Sequence, residues 1–342
     1  MKSKNALCGL AMAVALQLGI LASITQAQNL FVESGGSILE FTPGGAQSTF
    51  ASGLSPYGLA FDSAGNLFVA DTGSGNIYEF TNGVATEKGT FASGLPYPIA
   101  LAFNSAGVLF VADYNTSKIY EFTPGGAQSF FAGGLGMGSA VGLAFDRSNN
   151  LFVANSPEFP PGNIYEITPG GAVSNFVSGL NGPAGVAFDS AGDLFEADNG
   201  SGNIYEFTNG VATEMGTFAS GLNHPGGLAF DSSGNLFEAD VGSGNIYEFT
   251  PGGMRSTFAT GLSGGQVYLA FQPLHALAII LSGPNVILTW PTNVTGTLQF
   301  TTNLVSPALW NTNMPSPVVV NGQNAVTNPI SGSQMFFRLF SP

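Results

Sequence analysis

From Asn29 to Phe271 the chain repeats itself. The segment Gly58-Leu59-Ala60-Phe61-Asp62 recurs with its phenylalanine at 61, 103, 145, 188, 230 and 271, at spacings of 42, 42, 43, 42 and 41 residues. A period of this length means stacked or radially arranged units rather than one irregular domain. A second unit, Asn66-Leu67-Phe68-Val69-Ala70-Asp71, has its phenylalanine at 31, 68, 110, 152, 195 and 237. A third, Asn76-Ile77-Tyr78-Glu79-Phe80-Thr81, and a fourth, Ser48-Thr49-Phe50-Ala51-Ser52-Gly53-Leu54, complete each period. Every unit is short, aromatic and β-branched, and bounded by Gly, Pro, Asn or Asp, which is the pattern of a strand. Four strands per period, six times over, predict an all-β, six-bladed β-propeller. The chain enters at the second strand type (Asn29 to Glu33) and leaves after the first (Tyr268 to Phe271). One blade would therefore combine three N-terminal strands with one C-terminal strand, closing the ring and removing its open edges.

The connecting residues carry their own instructions. In Asp62-Ser63-Ala64-Gly65-Asn66 the aspartate can bond the turn backbone while the glycine adopts positive φ. Thr42-Pro43-Gly44-Gly45 and its copies at Thr123, Thr168 and Thr250 form the other hairpin. Residues 62–95 and 189–222 differ at only four of 34 positions, so two blades on opposite sides of the ring are near-copies. Of the 29 phenylalanines, 23 fall on repeat positions.

Outside the repeat, residues 1–27 read as a secretory signal peptide: Lys2 and Lys4, an apolar run from Ala6 to Ile24, then Thr25-Gln26-Ala27 with small residues at the cleavage positions. Cleavage there removes Cys8, the only cysteine, so the mature chain would fold without disulfides. It would also change the formal charge from −14 to 5 − 21 = −16. A secreted, periplasmic or cell-surface protein is expected, with no membrane span and no nucleic-acid partner, since a phosphate-binding surface needs many more cations. Residues 274–342 break the pattern. Short strands at Val286–Pro291, Thr297–Phe300, Pro317–Val320 and Met335–Leu339 predict a small β-sandwich-like module, joined by Leu274-His275-Ala276.

The run Pro56-Tyr57-Gly58-Leu59-Ala60-Phe61-Asp62-Ser63-Ala64-Gly65-Asn66-Leu67-Phe68-Val69-Ala70-Asp71 resembles the NHL repeat, and similar propellers occur in the SMP-30/gluconolactonase group. The resemblance spans residues 29–273, placing a propeller at 28–273 between the leader and the C-terminal module. Such propellers include lactonases, lyases, RNA binders and interaction scaffolds, so the resemblance implies a fold more than an activity. Where the lactonases carry a glutamate ahead of an early first strand, this chain reads Ser55-Pro56-Tyr57. The three-histidine zinc site of the amidating lyases cannot be assembled from His224 and His275 alone.

Departures from the repeat collect in the loops joining the fourth strand to the next blade and the second strand to the third, which share one face. Tyr57, Tyr97, Tyr114, Asn115 and His224 fall there, with Gly136-Met137-Gly138-Ser139 and the insertion Ser156–Gly162, which contains Phe159. Ligands commonly bind at loops held by a rigid scaffold. The expected function is thus a secreted, non-catalytic binding propeller, monomeric, taking a protein, glycan or neutral small ligand on this face without a cofactor. Asp71, Asp113, Asp198 and Asp240 end the second strands, with Asn155 and Ser34 in the equivalent places. They read first as turn caps. Glu196 and Glu238 replace the valines of other blades, and a carboxylate packed between blades is expected to be hydrogen-bonded or hydrated. The alternative function is a lactonase or lyase dependent on calcium or another divalent cation, with Asp198 and Asp240 as metal ligands and Glu196 and Glu238 as acid–base groups.

Overall fold

A computed structural model describes residues 28–135, 139–157, 161–263, 267–273, 278–282, 285–291, 297–301, 311–312, 314–320, 323–329 and 336–340. Residues 1–27, expected to be a signal peptide, Gly136-Met137-Gly138, Phe159 and the expected linker Leu274-His275-Ala276 lie outside the described residues. Two compact units divide the chain, one spanning Ala27–Leu274 and the other holding His275–Pro342. Among the described residues no helix is long and apolar enough to cross a membrane.

The first unit is a six-bladed propeller of four-stranded antiparallel sheets. Counting strands outward from the axis, blade one is Leu269–Phe271, Leu30–Ser34, Ser37–Phe41 and Gln47–Ser52. The C-terminal strand pairs in register with the N-terminal one, Leu30 opposite Phe271 and Val32 opposite Leu269, so the ring closes as the strand order predicts. The inner strands of blades two to six are Pro56–Phe61, Pro98–Phe103, Ser139–Phe145, Pro183–Phe188 and Pro225–Phe230. Their second strands are Leu67–Asp71, Leu109–Asp113, Leu151–Ser156, Leu194–Asp198 and Leu236–Asp240. The third and fourth strands follow in the same order as in blade one.

Phenylalanine builds the walls between blades. Each second-strand Phe meets the fourth-strand Phe of its own blade and the inner-strand Phe of the next, edge to face. Phe68 with Phe91 and Phe103 is typical, at 5.0 Å between centroids. Phe237 with Phe258 and Phe271 closes the circuit at 5.0 and 4.9 Å. Edge-to-face geometry puts the positive ring edge on the negative face, adding about 0.5–1.5 kcal/mol per pair to the burial itself. Ile167, the one aliphatic residue in the third-strand series, is also fully buried.

Two local devices shape the inner wall. In blade two Pro56 pairs with Asp71 and Leu59 with Val69, so Tyr57 and Gly58 together face Ala70. The same bulge recurs in blades three to six, bending each inner strand at its upper end. The glycine at the bulge lets neighbouring backbones touch: a Cβ on Gly58 would stand 2.8 Å from the Ile99 carbonyl, and Gly142, Gly185 and Gly227 are tighter still. At the lower turn, Asp62 Oδ1 accepts the Ala64 and Asn66 amides at 2.9 and 2.8 Å, with Gly65 at φ 85°.

Among the described residues the C-terminal unit has one four-stranded sheet, ordered Ala278–Ser282, Asn285–Pro291, Gln323–Pro329, Val318–Val320, and a two-stranded sheet of Thr297–Thr301 with Phe336–Phe340. Ala278–Ser282 and Gln323–Pro329 have no counterpart in the sequence expectation. The first is a short run beside the linker, and the second is polar (Gln-Asn-Ala-Val-Thr-Asn-Pro) and owes its strand to pairing on both sides.

Candidate functional site at the upper face

Because the strands alternate in direction, the loops entering each inner strand and the turns between second and third strands share one face. The recurring aspartate fastens these two connections together. Asp71 Oδ2 accepts the Ser55 amide at 2.7 Å, and its Oδ1 accepts the Ser74 amide at 2.8 Å. Asp113 does the same for Tyr97 and Thr116, Asp198 for Asn181 and Ser201, and Asp240 for Asn223 and Ser243. Asn155 bonds the Leu135 carbonyl, and Ser34 the backbone of Ser263. All six are buried. This repeated position is a structural clamp, holding a level ring of loops on which unlike side chains are displayed.

Three of the loop aromatics converge there. Tyr57 lies 6.0 Å from Tyr97 between centroids, and Tyr97 lies 5.7 Å from Tyr114. Tyr57 belongs to the inner strand rather than the loop where the sequence suggested it, and the bulge at Gly58 is what lifts it to the upper rim. A fourth ring, Tyr268 of blade one, lies 6.2 Å from Tyr57. Its hydroxyl donates to the Val141 carbonyl at 2.9 Å. Val141 is on blade four, opposite blade one, so Tyr268 bridges the central channel. Tyr114 is 48% exposed and forms the outer end of the run. A hydrogen bond with Tyr97, then burial, push the Tyr57 phenol up to about 12. Burial raises Tyr268 above the ordinary tyrosine range.

Beside this run lies Glu33, 6% exposed. The Gly35 and Gly36 amides stabilise its carboxylate, but burial outweighs them and pushes it up to about 8. Its Oε2 has no hydrogen-bond partner, and its charge acts on both Tyr57 and Tyr268. Neither Glu33 nor Tyr268 was among the residues singled out from sequence, though the repeat carried the signal. Glu33 stands where the other blades have Ala70, Ala112, Ala154, Ala197 and Ala239, and Tyr268 where they have Gly58, Ala100, Gly142, Gly185 and Gly227.

The remaining candidates stand apart. Glu196 lies across from Val186 and Tyr205, and Glu238 across from Leu228 and Tyr247. Both are fully buried, and neither carboxyl oxygen of Glu196 accepts a hydrogen bond from a protein group, while the Gly226 amide stabilises the Glu238 carboxylate. Burial, then repulsion from Asp198, raises Glu196 well above the carboxylate range; burial, then Asp240, pushes Glu238 up to about 9. His224 is exposed, with its Nδ1 3.1 Å from Asn199 Oδ1, and φ 59°. Asn115 is exposed next to Tyr114.

No protein-family model matches the sequence, and no curated protein matches it. Solved structures do match. The nidogen/laminin complex aligns at a TM-score of 0.63 with 18% identity, over 72% of this chain and 98% of that one. A streptogramin B lyase aligns at 0.52 with 15% identity, over 76% and 80%. Regucalcin of Agrobacterium tumefaciens, described as a calcium-binding protein, aligns at 0.54 with 17% identity, over 69% and 82%. The fold is that of the NHL-type and SMP-30/gluconolactonase-like propellers. At these identities the likeness concerns the fold of the propeller and not its chemistry.

Calcium needs six to eight oxygens, and Asp198 and Asp240 each already accept a backbone amide on both oxygens. Among the described residues no three His, Cys, Asp or Glu side chains come within reach of one ion.

Proposed function

We propose that this chain is an exported binding propeller whose ligand, a glycan, lies on the tyrosine run of the upper face. The observation that carries this reading is the continuous contact of Tyr268, Tyr57, Tyr97 and Tyr114 across blades one to three. Tyrosine offers a flat apolar ring for the C–H face of a sugar and a hydroxyl for its polar edge. The signal-peptide pattern supports export, and the likeness to a chain of the nidogen/laminin complex supports use of the fold as a binding module. Titration calorimetry with soluble oligosaccharides tests it. Tyr114→Ala should keep the melting temperature, since half its surface is already exposed, and weaken binding at least about tenfold, as a lost stacking ring does. Unchanged affinity in Tyr114→Ala and Tyr97→Ala together would place the ligand elsewhere.

Glu33 favours a second reading, an enzyme of lyase or lactonase type. A carboxyl held at about 8 beside two phenols can give or take a proton near neutral pH. Turnover of a lactone that falls at least about a hundredfold in Glu33→Gln would support it, the loss typical of a general acid–base group. Equal turnover in both proteins would remove it.

A further inference from the structure

We propose that the glycan recognised at the tyrosine run is an amino sugar with a free, protonated amine, selected by the buried, incompletely hydrogen-bonded carboxyl of Glu33 next to Tyr57 and Tyr268. This rests on the glycan reading above and names its chemical class.

Glu33 is the one charged residue in a position that is alanine in the five other blades. It is 6% exposed, its Oε2 has no hydrogen-bond partner, and its backbone amide donates to the Tyr268 carbonyl at 3.1 Å. A carboxyl in that state is costly to folding and is relieved by an arriving cation. Tyr57 and Tyr268 stand beside it, in a run of four tyrosine rings whose faces attract ammonium groups. Among the described residues no lysine or arginine acts on Glu33, Tyr57 or Tyr268. Lys88 and Arg255 are instead stacked over Tyr78 and Tyr247 on third strands. The whole chain, at formal charge −14, draws cations toward it.

Among the described residues the groups that interact with the Glu33 carboxyl are Tyr57 from blade two, Tyr268 from blade one, and the Gly35 and Gly36 amides of its own turn. Neither phenol ionises below Glu33, so a cation arriving over Tyr57 should draw the proton from Glu33. Binding then releases protons to the buffer.

The test uses the full mature chain with glucosamine hexamer and its fully N-acetylated counterpart at about pH 6, where the free amine is charged. The first should bind about tenfold or more tighter than the second, the scale of one partly desolvated cation–π contact with a nearby carboxylate. Its heat should depend on the buffer's ionisation enthalpy, and Glu33→Gln should abolish both the preference and the buffer dependence while still binding the acetylated hexamer. Equal affinity for the two hexamers, or a preference that survives Glu33→Gln, overturns the amine proposal and leaves the glycan site standing. Failure of both hexamers and of every neutral oligosaccharide overturns the glycan reading, and the proposal with it.

Discussion

Glu196 and Glu238 make the stability of this propeller depend on pH. Each holds its proton in the folded state well above the pH at which the unfolded chain loses it, near 4.5. The folded state is therefore favoured at low pH, and its advantage shrinks as pH rises. For Glu238 the loss runs from about 4.5 to about 9 and then levels, at about 1.4 kcal/mol per pH unit. Thermal unfolding should show the melting temperature falling between pH 5 and pH 8, with a shallower slope in Glu238→Gln. An identical slope would mean that the carboxyl ionises freely in the folded protein. The clamp aspartates act with the opposite chemistry, as acceptors for buried amides. Asp113→Ala leaves the Tyr97 and Thr116 amides without a partner and should cost about 2–4 kcal/mol in urea denaturation. Asp113→Asn should cost less, because Asn155 already fills that place in blade four.

The inner strand is the element whose sequence and geometry are most tightly matched. Its Gly-Leu-Ala-Phe core was readable as a strand, but the reason for the glycine was not. The glycine's φ is unexceptional, and what excludes a side chain is the next blade's backbone: a Cβ on Gly185 would run into the Gly226 carbonyl. Gly185→Ala should therefore cost about 1–3 kcal/mol, measurable as a lower unfolding midpoint. No change would show that the inner walls have slack. Blade three, with Ala100 at this position, is the natural tolerant case. The bulge beside that glycine was equally hidden, and it decides that Tyr57 reaches the rim instead of packing inside blade two.

For the whole molecule, closure is the decisive event. The six second-strand phenylalanines each join two blades, so the ring is as strong as its last contact, Phe237 with Phe271. Phe271→Ala should destabilise by about 3–5 kcal/mol, no less than Phe103→Ala at an internal wall, when both are followed by chemical denaturation. Ending the chain after Leu262 removes the inner strand of blade one and exposes the edge of Leu30–Ser34. That protein should aggregate or lose cooperative unfolding, and a soluble, cooperative product would show that closure is dispensable.

The sequence by itself determined the number of blades, the four strands in each, the lower hairpins and the mixed closing blade, because each follows from a local pattern repeated at a fixed interval. It also marked Tyr97 and Tyr114 as departures from that pattern. Only the tertiary structure decided what the departures do together. Tyr268 and Glu33 are 235 residues apart in the chain (268 − 33) and become neighbours because ring closure sets the last strand beside the first. A repeat specifies every blade alike, whereas the site arises from contacts between unlike residues of different blades, and those of Tyr268 exist only once the ring is shut.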